Sequence, residues 1–379
     1  MANKPLSFYI HVPYCVKRCG YCDFNTYTPA ELNGDLKSVS SDYIDLLVKE
    51  VDLTEREVKM PISTIFIGGG TPTLLEASDI NKILKKLENT FGFAGDIEIT
   101  IEANPDSVTP EKLSQLRNTG VNRISFGMQS SVGHVLKVLD RTHNPDNVSK
   151  SVESARSAGF NEINLDLIYG TPGESISDWQ QSIESALALP ITHISAYALI
   201  LEDGTKLANQ VKRKEFEIPD DGQTAEKYLI ADTAFNQAGF EWYELSNWAK
   251  PGSECKHNMA YWRGDNWWGL GPGAHSHLAG RRFWNIKHPN SYRASLESGS
   301  PIAGSEVLTA EQIESERVML EIRLRSGLEK ASLKSAQLET VKSYLEGGEL
   351  DTESWQNGRI SLTPKGRLVA DRIVRSILF

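Results

Sequence analysis

From Ser7 to about Tyr243 the chain alternates short β-branched and aromatic runs with longer amphipathic stretches, the pattern of repeated βα units around a parallel sheet. The runs are Ser7–Val12, Thr64–Ile67, Ile97–Glu102, Arg123–Gly127, Glu162–Asp166 and His193–Ala198. Helices are predicted between them over Ser41–Lys59, Glu76–Thr90, Pro110–Asn118, Pro145–Ala158 and Ser175–Leu189, with a further one around Asp220–Ala238. Each run ends in something chemically pointed. The first enters a cysteine-rich loop, the second Gly68-Gly69-Gly70-Thr71-Pro72, and the third ends at Glu102-Ala103-Asn104-Pro105. The fourth enters Met128-Gln129, the fifth reaches Asp166-Leu167-Ile168-Tyr169-Gly170, and the sixth ends near Tyr197-Ala198. One such end would be an ordinary turn, since Gly and Pro punctuate any βα connection. Six in order are what a βα barrel places around one active site.

The first loop holds three of the chain's four cysteines, Cys15, Cys19 and Cys22, in the spacing C-x-x-x-C-x-x-C. Such scarcity points away from disulfides and toward a metal site. Thiolates ligate both iron–sulfur clusters and zinc. Structural zinc favours four closed ligands with C-x-x-C pairs, and no second such pair is present. The spacing therefore favours a [4Fe–4S] cluster. Three cysteines leave one of its irons without a protein ligand, unless Cys255 or a histidine supplies it.

The glycine run Gly68-Gly69-Gly70 follows an apolar strand and precedes a helix, so its backbone can approach a ligand closely and offer N–H groups. It is not a P-loop, because no Gly-Lys-Ser/Thr follows. Gly269-Leu270-Gly271-Pro272-Gly273-Ala274 matches a dinucleotide fingerprint on paper, but a preceding strand and a following helix are not expected there.

A chain of 379 residues leads us to expect one large domain with a smaller appendage. A net charge of −10 argues against a general affinity for nucleic acid or anionic membrane. No apolar stretch approaches the roughly 18 residues of a spanning helix, and Met1 to Val12 has no signal-peptide character. A cytoplasmic location is expected, where thiols stay reduced. The expected division is a barrel over 1–243, a linker over 244–304 and a C-terminal helical domain over 305–379. Six of the eight tryptophans fall between Trp242 and Trp284. The last part reads as helices Thr309–Leu324 and Leu328–Glu346, a short strand pair near Arg359–Leu362 and a final helix Pro364–Leu378. That α+β, mostly helical layout resembles a winged helix. Its 11 Lys and Arg against 12 Asp and Glu leave no basic footprint for DNA, so a packing or protein-contact role is expected.

Tyr9-Ile10-His11-Val12-Pro13-Tyr14-Cys15, the two further cysteines and the GGGTP run together resemble the radical S-adenosylmethionine (SAM) superfamily over nearly the whole chain. The resemblance implies an α/β fold, a partial (βα)6 TIM-like barrel. It further implies a [4Fe–4S] cluster on Cys15, Cys19 and Cys22, its fourth iron chelated by the amino and carboxylate groups of SAM. By the same resemblance Tyr9 lies beside the cluster, and Gly69, Gly70 and Thr71 hold the methionine part. Glu102, Gln129, Arg141, Asp166 and Ala198 surround the rest of SAM.

Within that superfamily the chain is most similar to the oxygen-independent coproporphyrinogen III oxidases and their relatives, the HemW-type haem chaperones. The oxidases carry a further cysteine two residues after the third, where this chain has Phe24, and a long arm before the first, where it has 14 residues. His257-Asn258-Met259-Ala260-Tyr261-Trp262 matches the H-N-x-x-Y-W motif of the chaperones, whose histidine is associated with haem. Imidazole is a common axial ligand of haem iron, and nearby Trp and Tyr suit a flat apolar macrocycle. The resemblance thus implies haem binding at His257 and transfer to recipient haem proteins such as respiratory enzymes. The alternative is radical decarboxylation of a porphyrinogen, and an iron-bridged or haem-linked homodimer stays open. Cys255 reads as a small buried residue, while His275 and His277 are expected to face the same region as His257.

Overall fold

The computed structural model describes residues 4–32, 34–141 and 143–379. Its six predicted strands form in order as β1 (Leu6–Val12), β2 (Ile62–Gly69), β3 (Phe93–Ala103), β4 (Arg123–Gln129), β5 (Glu162–Tyr169) and β6 (His193–Ala198). All five junctions are parallel. The intervening helices, among them Leu36–Thr54, Ala77–Phe91, Pro110–Asn118, Pro145–Ser157 and Ile176–Leu187, cover the outer face. Their starts follow from local chemistry. Thr109 accepts from the Lys112 N–H at 3.2 Å ahead of Pro110, and Ser175 with Asp178 closes a reciprocal cap. Ile65, Ile67, Ile101, Ile124, Phe126 and Leu165 are buried between sheet and helices.

The stretch 244–304, expected to be a linker, contributes strands to this same sheet. After β7 (Glu241–Glu244), strand β8 (Asn247–Ala249) lies antiparallel to β6. On the other side β9 (Asn266–Leu270) runs parallel to β1, and β10 (His275–Leu278), β11 (Arg281–Asn285) and β12 (Ile302–Val307) continue as an antiparallel meander. The sheet has twelve strands in the order β12-β11-β10-β9-β1-β2-β3-β4-β5-β6-β8-β7. The Gly269–Gly273 run is thus preceded by a strand, contrary to expectation, but is followed by β10 rather than by a helix.

The C-terminal part has its own core, built on Val318, Ile322, Val341, Leu350, Ile360 and Ile373. Its expected helix Leu328–Glu346 opens instead as a strand. Strand β13 (Leu328–Glu329) pairs with β14 (Arg359–Ile360), and the helix itself is Ser335–Glu346. Gly327 makes the pairing possible: its φ is +64°, and a Cβ there would lie 2.3 Å from the Ile360 carbonyl oxygen. The final helix is likewise split into Pro364–Arg367 and Ala370–Leu378, with Val369 outside helical geometry between them. Arg367 is thereby turned onto the barrel, where its two terminal nitrogens meet Asp232 Oδ1 and Oδ2 at 2.8 and 2.6 Å. No helix among the described residues is long and apolar enough to cross a membrane.

Candidate functional site

The cysteine loop is seated on the GGGTP run. The Gly70 N–H donates to the Val12 carbonyl at 2.7 Å and the Thr71 N–H to the Tyr14 carbonyl at 2.8 Å. A Cβ on Gly70 would lie 2.4 Å from the Tyr14 oxygen and 3.0 Å from Cys15 Sγ, so only glycine lets the two loops close. Thr71 Oγ1 stands 3.9 Å from Cys15 Sγ. Cys15 is buried, and Cys19 and Cys22 are half-buried. Burial raises the Cys15 thiol and pushes Cys22 up to about 11, so a metal bound there would have to displace thiol protons. Among the described residues no three His, Cys, Asp or Glu side chains converge on one ion. Cys255 lies elsewhere, buried with its sulfur 3.5 Å from Glu98 Oε1.

The residues expected around SAM gather at the C-terminal ends of the strands. Gly69, at φ +111°, donates its N–H to Glu102 Oε2 at 3.0 Å. Arg141 places Nη1 3.5 Å from Cys19 Sγ and donates from Nη2 to the Gly127 carbonyl at 2.8 Å. Gln129 has φ 63° at the end of β4 and folds back over Gly127, where a Cβ would lie 2.9 Å from its Nε2. Asp166 accepts from Ser125 Oγ and Asn164 Nδ2, both at 2.8 Å. Ala198 pairs with Tyr169 at the last rung between β5 and β6. Three features fit a ligand there: the glycine cradle, the buried Arg141 Nε without a partner among the described residues, and the half-buried Glu102 carboxyl. Tyr9 packs 6.3 Å from Phe66, and its hydroxyl meets His11 Nδ1 at 2.9 Å.

Burial first, and then the Asp166 carboxylate, push Glu102 up to about 8. The raised value favours the neutral form in the folded state, so this group's contribution is fully present below about 4.5 and is lost as pH rises through about 8. Glu102→Gln should flatten that fall in a series of pH-dependent urea melts. An unchanged slope would contradict the assignment.

Below this layer the barrel interior is polar where such barrels are ordinarily filled with branched apolar residues. Glu102, Ser125, Asn164 and His193 stand on successive strands in register. Asn164 Nδ2 donates to Ser125 Oγ at 2.7 Å and to Ser195 Oγ at 3.1 Å, while its Oδ1 meets His193 Nδ1 at 2.6 Å. His193 Nε2 meets the Tyr243 hydroxyl at 2.8 Å, and Asn258 Nδ2 donates to that hydroxyl at 3.2 Å.

The H-N-x-x-Y-W motif lies on the short helix Lys256–Trp262, which closes this interior. His257 is 1% exposed. Its Nδ1 meets Thr64 Oγ1 at 2.8 Å, its Nε2 meets the Tyr261 hydroxyl at 2.9 Å, and its backbone N–H donates to Glu98. Burial pushes its imidazole down to about 3, so it is neutral. A cavity of about 160 Å³ is bounded by Tyr9, Glu102, Asp166, His257, Asn258 and Tyr261 among others. The motif thus shares one cavity with Tyr9, Glu102 and Asp166, whereas Gly69, Gly70, Thr71, Gln129, Arg141 and Ala198 do not line it.

Residues 9–186 match the family model of the radical SAM superfamily. The chain is 45% identical to the heme chaperone HemW of Mycobacterium tuberculosis, over 100% of this chain and 96% of that protein. The chain belongs to the HemW family of the radical SAM superfamily. The HemW of Bacillus subtilis is 35% identical, covering 98% of this chain and 99% of its own. Among solved structures, the Escherichia coli coproporphyrinogen III oxidase HemN superposes with a TM-score of 0.84 over 99% of this chain and 90% of that one, at 23% identity. At that identity the likeness establishes the fold, barrel and C-terminal part together.

Sequence reasoning missed several parts of this HemW site. Ser125, Asn164, His193 and Ser195 were readable in principle, as polar residues at alternate positions of otherwise apolar strands. Asn25 was not. Its Nδ2 donates to the Pro272 and Lys287 carbonyls at 3.0 and 2.9 Å and so ties the cysteine loop to the Gly271–Gly273 turn. His11 Nε2 holds the Asn25 carbonyl at 2.8 Å. The buried Glu50 fixes the same turn, accepting from the Gly271 N–H at 2.8 Å, from Asn285 Nδ2 at 2.6 Å and from the Tyr292 hydroxyl.

Proposed function

We propose that this chain is a cytoplasmic haem chaperone that binds haem and hands it to recipient haem proteins, respiratory enzymes among them. One observation carries the reading: the full-length match to proteins named heme chaperone, with the H-N-x-x-Y-W helix built into the wall of the expected cofactor cavity. In this reading Cys15, Cys19 and Cys22 hold a [4Fe–4S] cluster. Gly69, Gly70, Thr71, Glu102, Gln129, Arg141, Asp166 and Ala198 hold SAM, with Tyr9 beside them. When bound, the pair supplies one-electron chemistry. The chain's own contribution is to exclude water from the cavity, to keep Glu102 protonated against Gly69, and to hold Arg141 on Cys19.

The oxidase reading is weaker. Phe24, 59% exposed on the cysteine loop, stands where the oxidases carry their additional cysteine. The H-N-x-x-Y-W helix links to Asp166 through Tyr243, His193 and Asn164, so haem handling and the SAM residues share one hydrogen-bonded network. The test is transfer. The full chain is loaded with haem and mixed with an apo respiratory haem protein, and the Soret band is followed. A shift to the recipient's spectrum is expected, and haem retained by the donor would sink the chaperone reading.

A further inference from the structure

A larger cavity, of about 690 Å³, opens where the barrel meets the C-terminal part, and it shares no lining residue with the one described above. Its volume falls within the range of small-molecule sites, roughly 300–1,000 Å³. One wall is Arg263, which ends the helix Lys256–Trp262 on the barrel side. The other walls come from the C-terminal part: the helix Ala310–Glu321, the turn at residues 324–327, strands β13 and β14, and Lys334 ahead of the helix Ser335–Glu346.

The charged groups lining this cavity divide into those already satisfied and those left free. Arg317 is satisfied: Nε and Nη2 donate to Glu314 at 2.9 and 2.6 Å, and Nη1 donates to Glu321 at 3.0 Å. Arg359 is held in place but only partly used. It donates from Nε to the Ser326 carbonyl at 2.8 Å and from Nη2 to the Gly327 carbonyl, while Nη1 has no partner among the described residues. Arg263 and Lys334 are exposed, and neither side chain makes an ion pair among the described residues. Glu329 is the one lining carboxylate without a cationic partner among the described residues.

Three available cations therefore surround one hollow against one available carboxylate, on a chain whose net charge is −10. Like charges gathered around a hollow repel, and an anion placed between them turns that repulsion into attraction. Guanidinium groups match phosphate oxygens in fork geometry, and lysine adds a point charge. The carboxylate can only accept hydrogen bonds, so it selects a ligand that also carries hydroxyl or amino donors. We propose that this cavity binds a nucleoside polyphosphate, with its phosphates on Arg263, Lys334 and Arg359 and a ribose or base donor on Glu329. Because Arg263 belongs to the barrel and the other three groups to the C-terminal part, the ligand bridges the two. The inference stands apart from the haem reading.

The test is calorimetric titration of ATP into the anaerobically reconstituted full chain, with inorganic pyrophosphate and adenosine in parallel. SAM is kept in excess, so that recognition of adenosine at the cofactor end does not contribute. One ATP should bind per chain, pyrophosphate more weakly and adenosine more weakly still. Arg263→Glu and Lys334→Ala should each weaken ATP binding about tenfold or more through loss of charge-assisted contacts. Both side chains are exposed, and unchanged circular dichroism should confirm that the variants fold. Glu329→Gln should weaken ATP relative to pyrophosphate, whereas a merely electropositive hollow would bind both more tightly. Arg325→Ala, exposed on the same joint but outside the cavity, should bind ATP as the wild type does. No ATP binding by the wild type overturns the inference, as does wild-type affinity in Arg263→Glu or equal affinity for ATP and pyrophosphate.

Discussion

Cys19→Ala should reduce the reconstituted iron content from about four atoms per chain to below about one, with sulfide falling in parallel. The expectation follows from the seat of the loop. Cys15 is fixed by the Gly70 cradle, where a Cβ would come 3.0 Å from its sulfur. Cys19 is fixed from the other side by Arg141, anchored to the Gly127 carbonyl at 2.8 Å. Among the described residues no spare thiol is near. Cys255 is occupied with Glu98 at 3.5 Å, and Arg123 lies 3.6 Å from that same carboxylate. Cys255→Ala should therefore retain the full iron content. A Cys19→Ala protein that keeps its cluster would require a replacement third protein ligand, and no other thiol is near among the described residues.

Arg367→Ala should lower stability by about 3–5 kcal/mol, the usual cost of leaving one partner of a buried ion pair alone. Asp232 is 6% exposed and Arg367 8% exposed, and the guanidinium lies 4.5 Å over the Trp242 ring. Removing it leaves the Asp232 carboxylate with the Trp248 indole N–H at 2.8 Å. The loss falls on the joint between the C-terminal core and the barrel helix Asp221–Gln237. Denaturant unfolding of the variant should accordingly separate into two steps. The exposed pair Arg325–Glu241 crosses the same joint, and Arg325→Ala should cost about 1 kcal/mol or less. Equal effects of the two substitutions would refute this account of the joint.

The barrel strands and the polar residues at their C-terminal ends were legible because two periodicities coincide. Alternation along a strand reveals its buried face, and ligand chemistry collects where strands stop. Glu102, Gln129 and Asp166 follow directly from that rule. The meander was illegible because its outer face is polar and aromatic. His275, His277 and Arg282 alternate with buried Ser276 and Phe283, too weak an apolar signal among glycines to read as strand. His257 shows another limit. A motif gives a residue type, whereas the availability of a ring nitrogen depends on Thr64 and Tyr261, 193 and 4 residues away. The local sequence predicts helix at Leu328, because its strand partner Ile360 is remote in the chain and Gly327 acts only through its approach to that partner.

The central claim is that this chain handles haem rather than makes a porphyrin. One anaerobically reconstituted sample, divided between a haem titration and an assay of coproporphyrinogen III decarboxylation with SAM and a strong reductant, tests it most directly. Saturable haem binding without catalytic formation of protoporphyrinogen is the predicted result. Repeated turnover to protoporphyrinogen, with 5′-deoxyadenosine accumulating beyond one equivalent per chain, would contradict it.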